Sequence, residues 1–334
     1  MLRRKFLVCG AVSAVVATPA FAKNKAVRSA SPAAEQGSYA AFLAEVRREA
    51  ISKGLSASLV SEALALSPEP NQKVLKADRH QPEFTMTWAQ YKARVITDKK
   101  ISDGQAAVSK REALLGQISQ SYGVDRGVIA GIWGLESAYG TKMGTFHVID
   151  SLATLAYDGR RAAFFRAELF KALHILGQGN ITPAGMLGSY AGAMGQPQFM
   201  PSAYEQYAAS FPAGGRRDIW NNEGDVFASI GNYLSKCHWI AGEPWGEAVD
   251  VPDSLDQGQL GRAIVRPVSY WATQGVRPQS GGDFTHMGMN GAIIRPDGVG
   301  GEAYMVYHNF NVIRRYNPSD FYALGVGLLG SAVA

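Results

Sequence analysis

Apolar positions keep a helical rhythm over most of the chain. Tyr39, Phe42, Leu43, Val46 and Ala50 follow i, i+3, i+4, i+7 spacing, and Gly54 supplies a stop. The same spacing predicts helices near 57–66, 84–95, 105–122, 125–138, 160–177, 202–209 and 223–237. No repeat of fixed period is present, which excludes solenoids and propellers. Beyond Cys237 the rhythm changes. Glu247 to Val251 alternates like a strand, Glu302 to Tyr307 reads as another, and glycines cluster between 281 and 301. Helices first and strands late predict an α+β fold, predominantly α-helical, with a smaller β-containing portion late in the chain. It is not the alternating βαβ order of a parallel sheet.

The first residues break that pattern. Arg3, Arg4 and Lys5 precede an apolar stretch from Phe6 to Val16, and small residues stand at Ala20 and Ala22. These are the three parts of a secretory signal, so 1–22 is expected to be removed, by either the Sec or the twin-arginine route. The apolar stretch is well short of the ~20 residues a spanning helix needs. Residues 23–36 are small and polar and read as a flexible linker, leaving 37–334 as the folded domain.

Composition adds exclusions. With 46% hydrophobic and 18% charged residues, the 334-residue chain has ample core and is too apolar for disorder. The formal charge of +5 suggests a polyanion partner until the leader is discounted. Its three basic residues and no acid leave 30 basic against 28 acidic side chains, a net of +2 without a basic cluster. Nucleic acid is therefore not a partner. Cys9 falls in the leader, so Cys237 stands alone in the mature chain and no internal disulfide staples the core. Among Tyr233, Leu234 and Trp239 it reads as an inert buried thiol.

Several chemistries are missing. The six histidines form no H-E-x-x-H and have no C-x-x-C beside them, and neither a P-loop nor a G-x-G-x-x-G after a strand is present. Ser189 has Leu187 and Ala191 where a nucleophile elbow needs glycines.

The informative stretch runs from Asp125 to Gly140. Asp125 can cap a helix and Gly140 lies just past its end. Glu136 stands seven, four and three residues after Ile129, Ile132 and Trp133, on the same face. An inward carboxylate at a helix C-terminus favours its protonated form, which a general acid requires. A buried glutamate in a structural salt bridge satisfies the same pattern, and the spacing does not separate the two. A second block, Gly188 to Ser202, alternates glycine and alanine with polar and aromatic residues. Such open backbone suits either a cleft wall or a packing corner. Arg315 to Tyr322 mixes aromatics with amide and hydroxyl groups, the tools for sugar rings; two core tyrosines at a helix start fit equally.

Gly131 to Gly140, Leu152 to Arg161, Ser189 to Ser202 and Tyr316-Asn317 resemble the MltB-type lytic murein transglycosylases, with likeness from about Ser38 to Leu329. The resemblance implies a lysozyme-like catalytic domain over 37–334. Such a domain cleaves the β-1,4 bond between N-acetylmuramic acid and N-acetylglucosamine without water, leaving a 1,6-anhydro end. Glu136 would be the single catalytic acid and then base, with Asp150 and Asp158, the nearest downstream acids, not needed as nucleophile. Hydrolytic glycosidases commonly use two carboxylates. Ser189 and Gln198 would lie near the reacting sugars, and Tyr233 would reach the site along a stripe with Val226 and Ile230. Tyr316, Asn317 and Tyr322 would line the cleft, Tyr316 near the acid, with Tyr91 at its edge.

No cofactor and no metal are expected. Some members carry a calcium-binding, EF-hand-like loop after the Met-Pro-Ser block. Here the span 208–220 keeps only Asp218 as a carboxylate beside Arg216 and Arg217, so it is expected not to hold calcium. Peptidoglycan glycan strands would be the partner, in the periplasm, with no stable membrane anchor. A hydrolase admitting water and a non-catalytic glycan-binding protein are the rival readings.

Overall fold

The computed structural model describes residues 37–79 and 86–334; the predicted signal and linker lie outside the described residues. The first helices are α1 (Tyr39–Ser52), α2 (Ala57–Leu64), α3 (Gln72–Arg79) and α4 (Trp88–Val95). Side-chain caps set several of their starts. Ser38 Oγ accepts from Ala41 N for α1. Thr87 and Gln90 form a reciprocal capping box that starts α4 at Trp88, later than the apolar spacing implies.

The helix expected over 105–122 is two: α5 (Asp98–Ser109), capped by Thr97, and α6 (Glu112–Tyr122). The break at Lys110-Arg111 carries no glycine or proline. Its cause is tertiary, since Arg111 leaves helical geometry and forks onto Glu223. Then come α7 (Arg126–Ser137), α8 (Val148–Asp158), α9 (Ala162–Gly177), α10 (Pro201–Tyr207) and α11 (Glu223–Lys236). The short strands β1 (Phe146–His147) and β2 (Leu187–Gly188) pair antiparallel beside them. Helices α3 and α8 were not predicted: α3 is short and basic, and α8 is buried on nearly every side with Asp150, Ser151 and Thr154 among its apolar residues.

The late β portion is a five-stranded antiparallel sheet. It comprises β3 (Gly246–Asp250), β4 (Arg266–Pro267), β5 (Arg277–Pro278), β6 (Asn290–Ile294) and β7 (Ala303–Val306), in the order β4-β6-β7-β3-β5, with α12 (Val268–Thr273) against it. Every β7 residue is buried, and the period of two explains it. Tyr304 and Val306 face the helical core, whereas Ala303 and Met305 join a second core with Val268, Trp271 and Ile293.

The chain then returns to the helices with α13 (His308–Tyr316) and α14 (Asp320–Val333). Helix α14 lies against α7 at a distance only glycine permits. A methyl at Gly131 would stand 2.3 Å from the Val326 carbonyl oxygen, and one at Gly330 would stand 2.4 Å from that of Gly127.

Candidate active site

Helix α7 is capped as its sequence predicts, Asp125 Oδ1 accepting from Val128 N at 3.1 Å. Residues 127–134 are all buried, so the helix runs through the core and brings Glu136, half-buried, to its edge. Just after it, Ala138, Tyr139 and Gly140 are all left-handed, with φ of 48°, 59° and 81°. For alanine and tyrosine that conformation costs about 1 kcal/mol each.

Local bonds hold the strained turn. Ala138 N donates to Gly134 O at 3.1 Å, and Ser137 Oγ accepts from Gly140 N at 3.1 Å. The Tyr139 ring packs edge-on to Trp133 at 5.4 Å, and its hydroxyl donates to Lys100 O on α5. The strained turn thus lies directly after the half-buried carboxylate of Glu136.

Beside Glu136 stand Tyr322 of α14 and Tyr316 of α13, and an aromatic wall extends from them to Tyr233 of α11 and, through Phe321, to Tyr91 of α4. The Tyr322 hydroxyl donates to Glu136 Oε1 at 2.7 Å. Burial, and then the charge of Glu136, push the Tyr322 hydroxyl well above the ordinary tyrosine range, so it stays a neutral donor. Tyr316 stacks on Tyr322 with centroids 6.4 Å apart and 12° between planes. Its hydroxyl, likewise raised by burial and then by Glu136, donates to Pro197 O. Tyr316 is thus near the acid, and Tyr322 is the ring that bonds it.

Tyr233 shares a stripe with the buried Val226 and Ile230 and packs between Tyr207, at 4.2 Å, and Tyr316, at 4.7 Å. Its hydroxyl donates to Arg315 O. Tyr91 sits at the other end of the wall, 5.8 Å from Phe321 and 6.1 Å from Trp88. Asn317 is exposed, and its Oδ1 accepts from Ser319 N in the turn between α13 and α14.

The Gly188–Ser202 block packs beside the segment after the acid. A methyl at Gly144 would lie 2.0 Å from Gly188 O and 2.8 Å from Ser189 N. Ser189 Oγ accepts from Ala191 N and Ala193 N, bracing its own turn. Gln198, at φ 52°, donates through Nε2 to Met143 O at 2.9 Å and Gly195 O at 2.7 Å. Sequence reasoning missed Gln196. Its Oε1 accepts the Trp133 indole N–H at 2.7 Å, and its Nε2 donates to Trp220 O, tying α7 to two loops. A buried tryptophan N–H needs an acceptor, and that need was the available signal.

The other downstream acids are committed elsewhere. Asp150 accepts from Ser67 Oγ and Asn71 Nδ2, and Asp158 pairs with Arg79. Arg160 and Arg161 both pair with the buried Asp78 on α3.

The loop after the Met-Pro-Ser block closes on Asp225, a carboxylate outside the 208–220 span and missed in it. Asp225 Oδ1 accepts from Phe211 N and Oδ2 from Asp218 N, both at 2.8 Å. Asp218 Oδ1 accepts from Trp220 N and Asn221 N. Arg216 and Arg217 anchor the loop to Asn180. Carboxylate oxygens held by amides, with two guanidiniums alongside, do not fit a calcium ion.

Residues 38–331 match the family model for the transglycosylase SLT domain. The chain is 34% identical over 256 residues to membrane-bound lytic murein transglycosylase B of Escherichia coli K12, covering 74% of this chain and 67% of that protein. It is 40% identical to SltB3 of Pseudomonas aeruginosa, with a TM-score of 0.85, covering 89% of this chain and 80% of that one. That protein was solved in complexes with NAG-anhNAM-pentapeptide and with NAG-NAM-pentapeptide. Slt35 of Escherichia coli, solved in complex with calcium, is 30% identical with a TM-score of 0.74, over 87% of this chain and 92% of that one.

Proposed function

The chain belongs to the transglycosylase SLT domain family, and from that premise we propose that it is a peptidoglycan lytic transglycosylase. It cleaves the β-1,4 bond between N-acetylmuramic acid and N-acetylglucosamine and leaves a 1,6-anhydromuramic end. The relative solved with an anhydro-muropeptide supports this choice of product.

The observation that carries the reading is Glu136, set at the carbonyl end of α7 and hydrogen-bonded by the Tyr322 hydroxyl in an aromatic wall. In the proposed reaction the Glu136 carboxyl donates its proton to the glycosidic oxygen as the C1–O bond breaks. The sugar's O6 then bonds to C1, and the Glu136 carboxylate takes the O6 proton, so the acid is restored and no water is consumed. Tyr322, kept neutral by burial, donates to the carboxylate while its proton is away. The dipole at the end of α7 disfavours that charge and favours the return of the proton. Asp150 and Asp158, bonded elsewhere, do not supply the second carboxylate a hydrolase commonly uses.

Tyr316, Tyr233 and Tyr91 present ring faces for sugars, and Ser189 and Gln198 shape the loops beside them. Asn317, exposed in the turn between α13 and α14, lines the cleft beside them. The enzyme works in the periplasm, where the wall lies. The leader-like residues 1–22 support that placement, and among the described residues no helix is long and apolar enough to cross a membrane.

Digestion of purified sacculi, read by mass spectrometry, tests the function. Anhydro ends lighter than hydrolysed ends by one water are expected. Glu136→Gln should lower turnover roughly a thousandfold or more while leaving the fold intact by circular dichroism. Hydrolysed ends would replace the reading with a hydrolase, and retained turnover in the variant would remove Glu136 from its role.

A further inference from the structure

Beyond the aromatic wall, on the side of the sheet, one carboxylate is bracketed by arginines. Asp320, in the first turn of α14, pairs with Arg314 of α13 and, at 3.3 Å, with Arg262 Nε. Arg262 comes from the loop after Gln257–Gln259, held where Gly261 N donates to Ile293 O on β6 at 2.7 Å. Among the described residues its guanidinium is held by that ion pair alone, and its side chain is 38% exposed. Arg295, at the end of β6, donates to Gln257 Oε1 and to Val251 O, and its buried Nε meets no acceptor.

The local charge does not balance. Burial lowers the proton affinity of Arg314; Asp320 works against that, and the charges of Arg262 and Arg315 add to it. The nearby Asp297 is spent on the start of α4, accepting from Trp88 N at 2.6 Å and Ala89 N at 2.9 Å.

A cavity of about 460 Å³ opens there, lined by Arg262, Arg295, Gln257, Gly298, Asp320 and Phe321. Phe321 joins it to the proposed active site. Its ring packs on Tyr91, and the next residue is the tyrosine that bonds Glu136.

Resting on the peptidoglycan reading, we propose that this cavity is a subsite for the peptide stem of the glycan strand, in which Arg262 and Arg295 bind a stem carboxylate. The stem hangs from the muramic lactyl group next to the bond to be cut, so its reach matches a pocket adjoining the wall. Guanidinium forks suit carboxylates, and an incoming anion offsets the positive excess around Asp320. The sugar is read by rings on one side of Phe321 and the peptide by charge on the other.

The experiment pairs three substrates with two proteins. The substrates are strands with intact stems, strands stripped of stems by an amidase, and strands whose stem carboxylates are converted to amides. Unmodified enzyme should show a kcat/KM about tenfold higher on intact than on stripped strands, the size of one charge-assisted contact. Arg262→Gln should bring that ratio close to one, and Arg262→Lys should recover part of it. Amidation should cost the unmodified enzyme about the same factor and add nothing in Arg262→Gln. A ratio untouched by Arg262→Gln, or amidation that costs both proteins alike, overturns the subsite.

Calorimetric binding of intact and stripped tetrasaccharides to Glu136→Gln, with and without Arg262→Gln, decides the same question without turnover. An unmodified enzyme that makes no anhydro ends from any strand would sink the transglycosylase reading, while this binding comparison still judges the subsite.

Discussion

Helices α7 and α14 touch along their length, and the proposed site needs one side chain from each, yet they are built on different terms. Helix α7 announces itself with an aspartate cap, an apolar stripe and an acid on that stripe. Helix α14, Asp320–Val333, is apolar nearly all round and interrupted by glycines, a composition with no stripe to read. Its glycines make sense only against their neighbours: Gly330 meets the backbone of Gly127 on α7, Gly327 lies under the Trp245 indole, and Gly131 of α7 in turn meets the Val326 carbonyl. The first helix carries the proposed acid, and the second carries the ring whose hydroxyl bonds it. Chemistry can thus be concentrated on one element while its precision is stored in another.

Four substitutions sharpen this contrast. The largest effect is expected where the two helices meet. Gly131→Ala pushes a methyl into the Val326 carbonyl and should cost about 3 kcal/mol, seen as a lower denaturant midpoint at unchanged slope. No loss of stability would mean that α14 can retreat from α7 freely.

Next comes Tyr322→Phe, which keeps the ring and deletes the donor to Glu136. About 2 kcal/mol of transition-state stabilisation should disappear, roughly thirtyfold in kcat, with a smaller change in KM. An unchanged kcat would reduce Tyr322 to packing.

The smallest effects should come from the caps. Asp125→Ala on α7 and Ser319→Ala on α14 should each cost about 1 kcal/mol of unfolding free energy. If the α7 cap alone mattered, α14 would be held wholly by its partner.

The contrast also explains what could be read in advance. Helices with one wet face, such as α1, α9 and α11, were legible from spacing, as were the strands β3 and β7. Helix α14 escaped because it is apolar nearly all round, α8 because the buried polar Asp150, Ser151 and Thr154 stand among its apolar positions, and β6 because it was hidden among glycines. The split between α5 and α6 depends on Arg111 reaching Glu223, far along the chain.

At the site, Glu136 could be singled out from its stripe, whereas Tyr322, 186 residues away, stood in an aromatic block open to two readings, and only the family resemblance brought it to the cleft. Gln196 and Asp225 were missed because their roles are defined by distant backbone groups and an indole they alone satisfy. Pairings of this kind are set by the folded topology, and local pattern carries no trace of them.

The distance in sequence between acid and tyrosine has a consequence for biosynthesis. Closing so long a loop comes late, because its entropy must be met before the contact forms. A ribosome that has made residue 136 has not yet made Tyr316 or Tyr322. A partial product carries the acid without its orienting ring, so an enzyme aimed at its own cell's envelope stays blunt until nearly all of it has been synthesised.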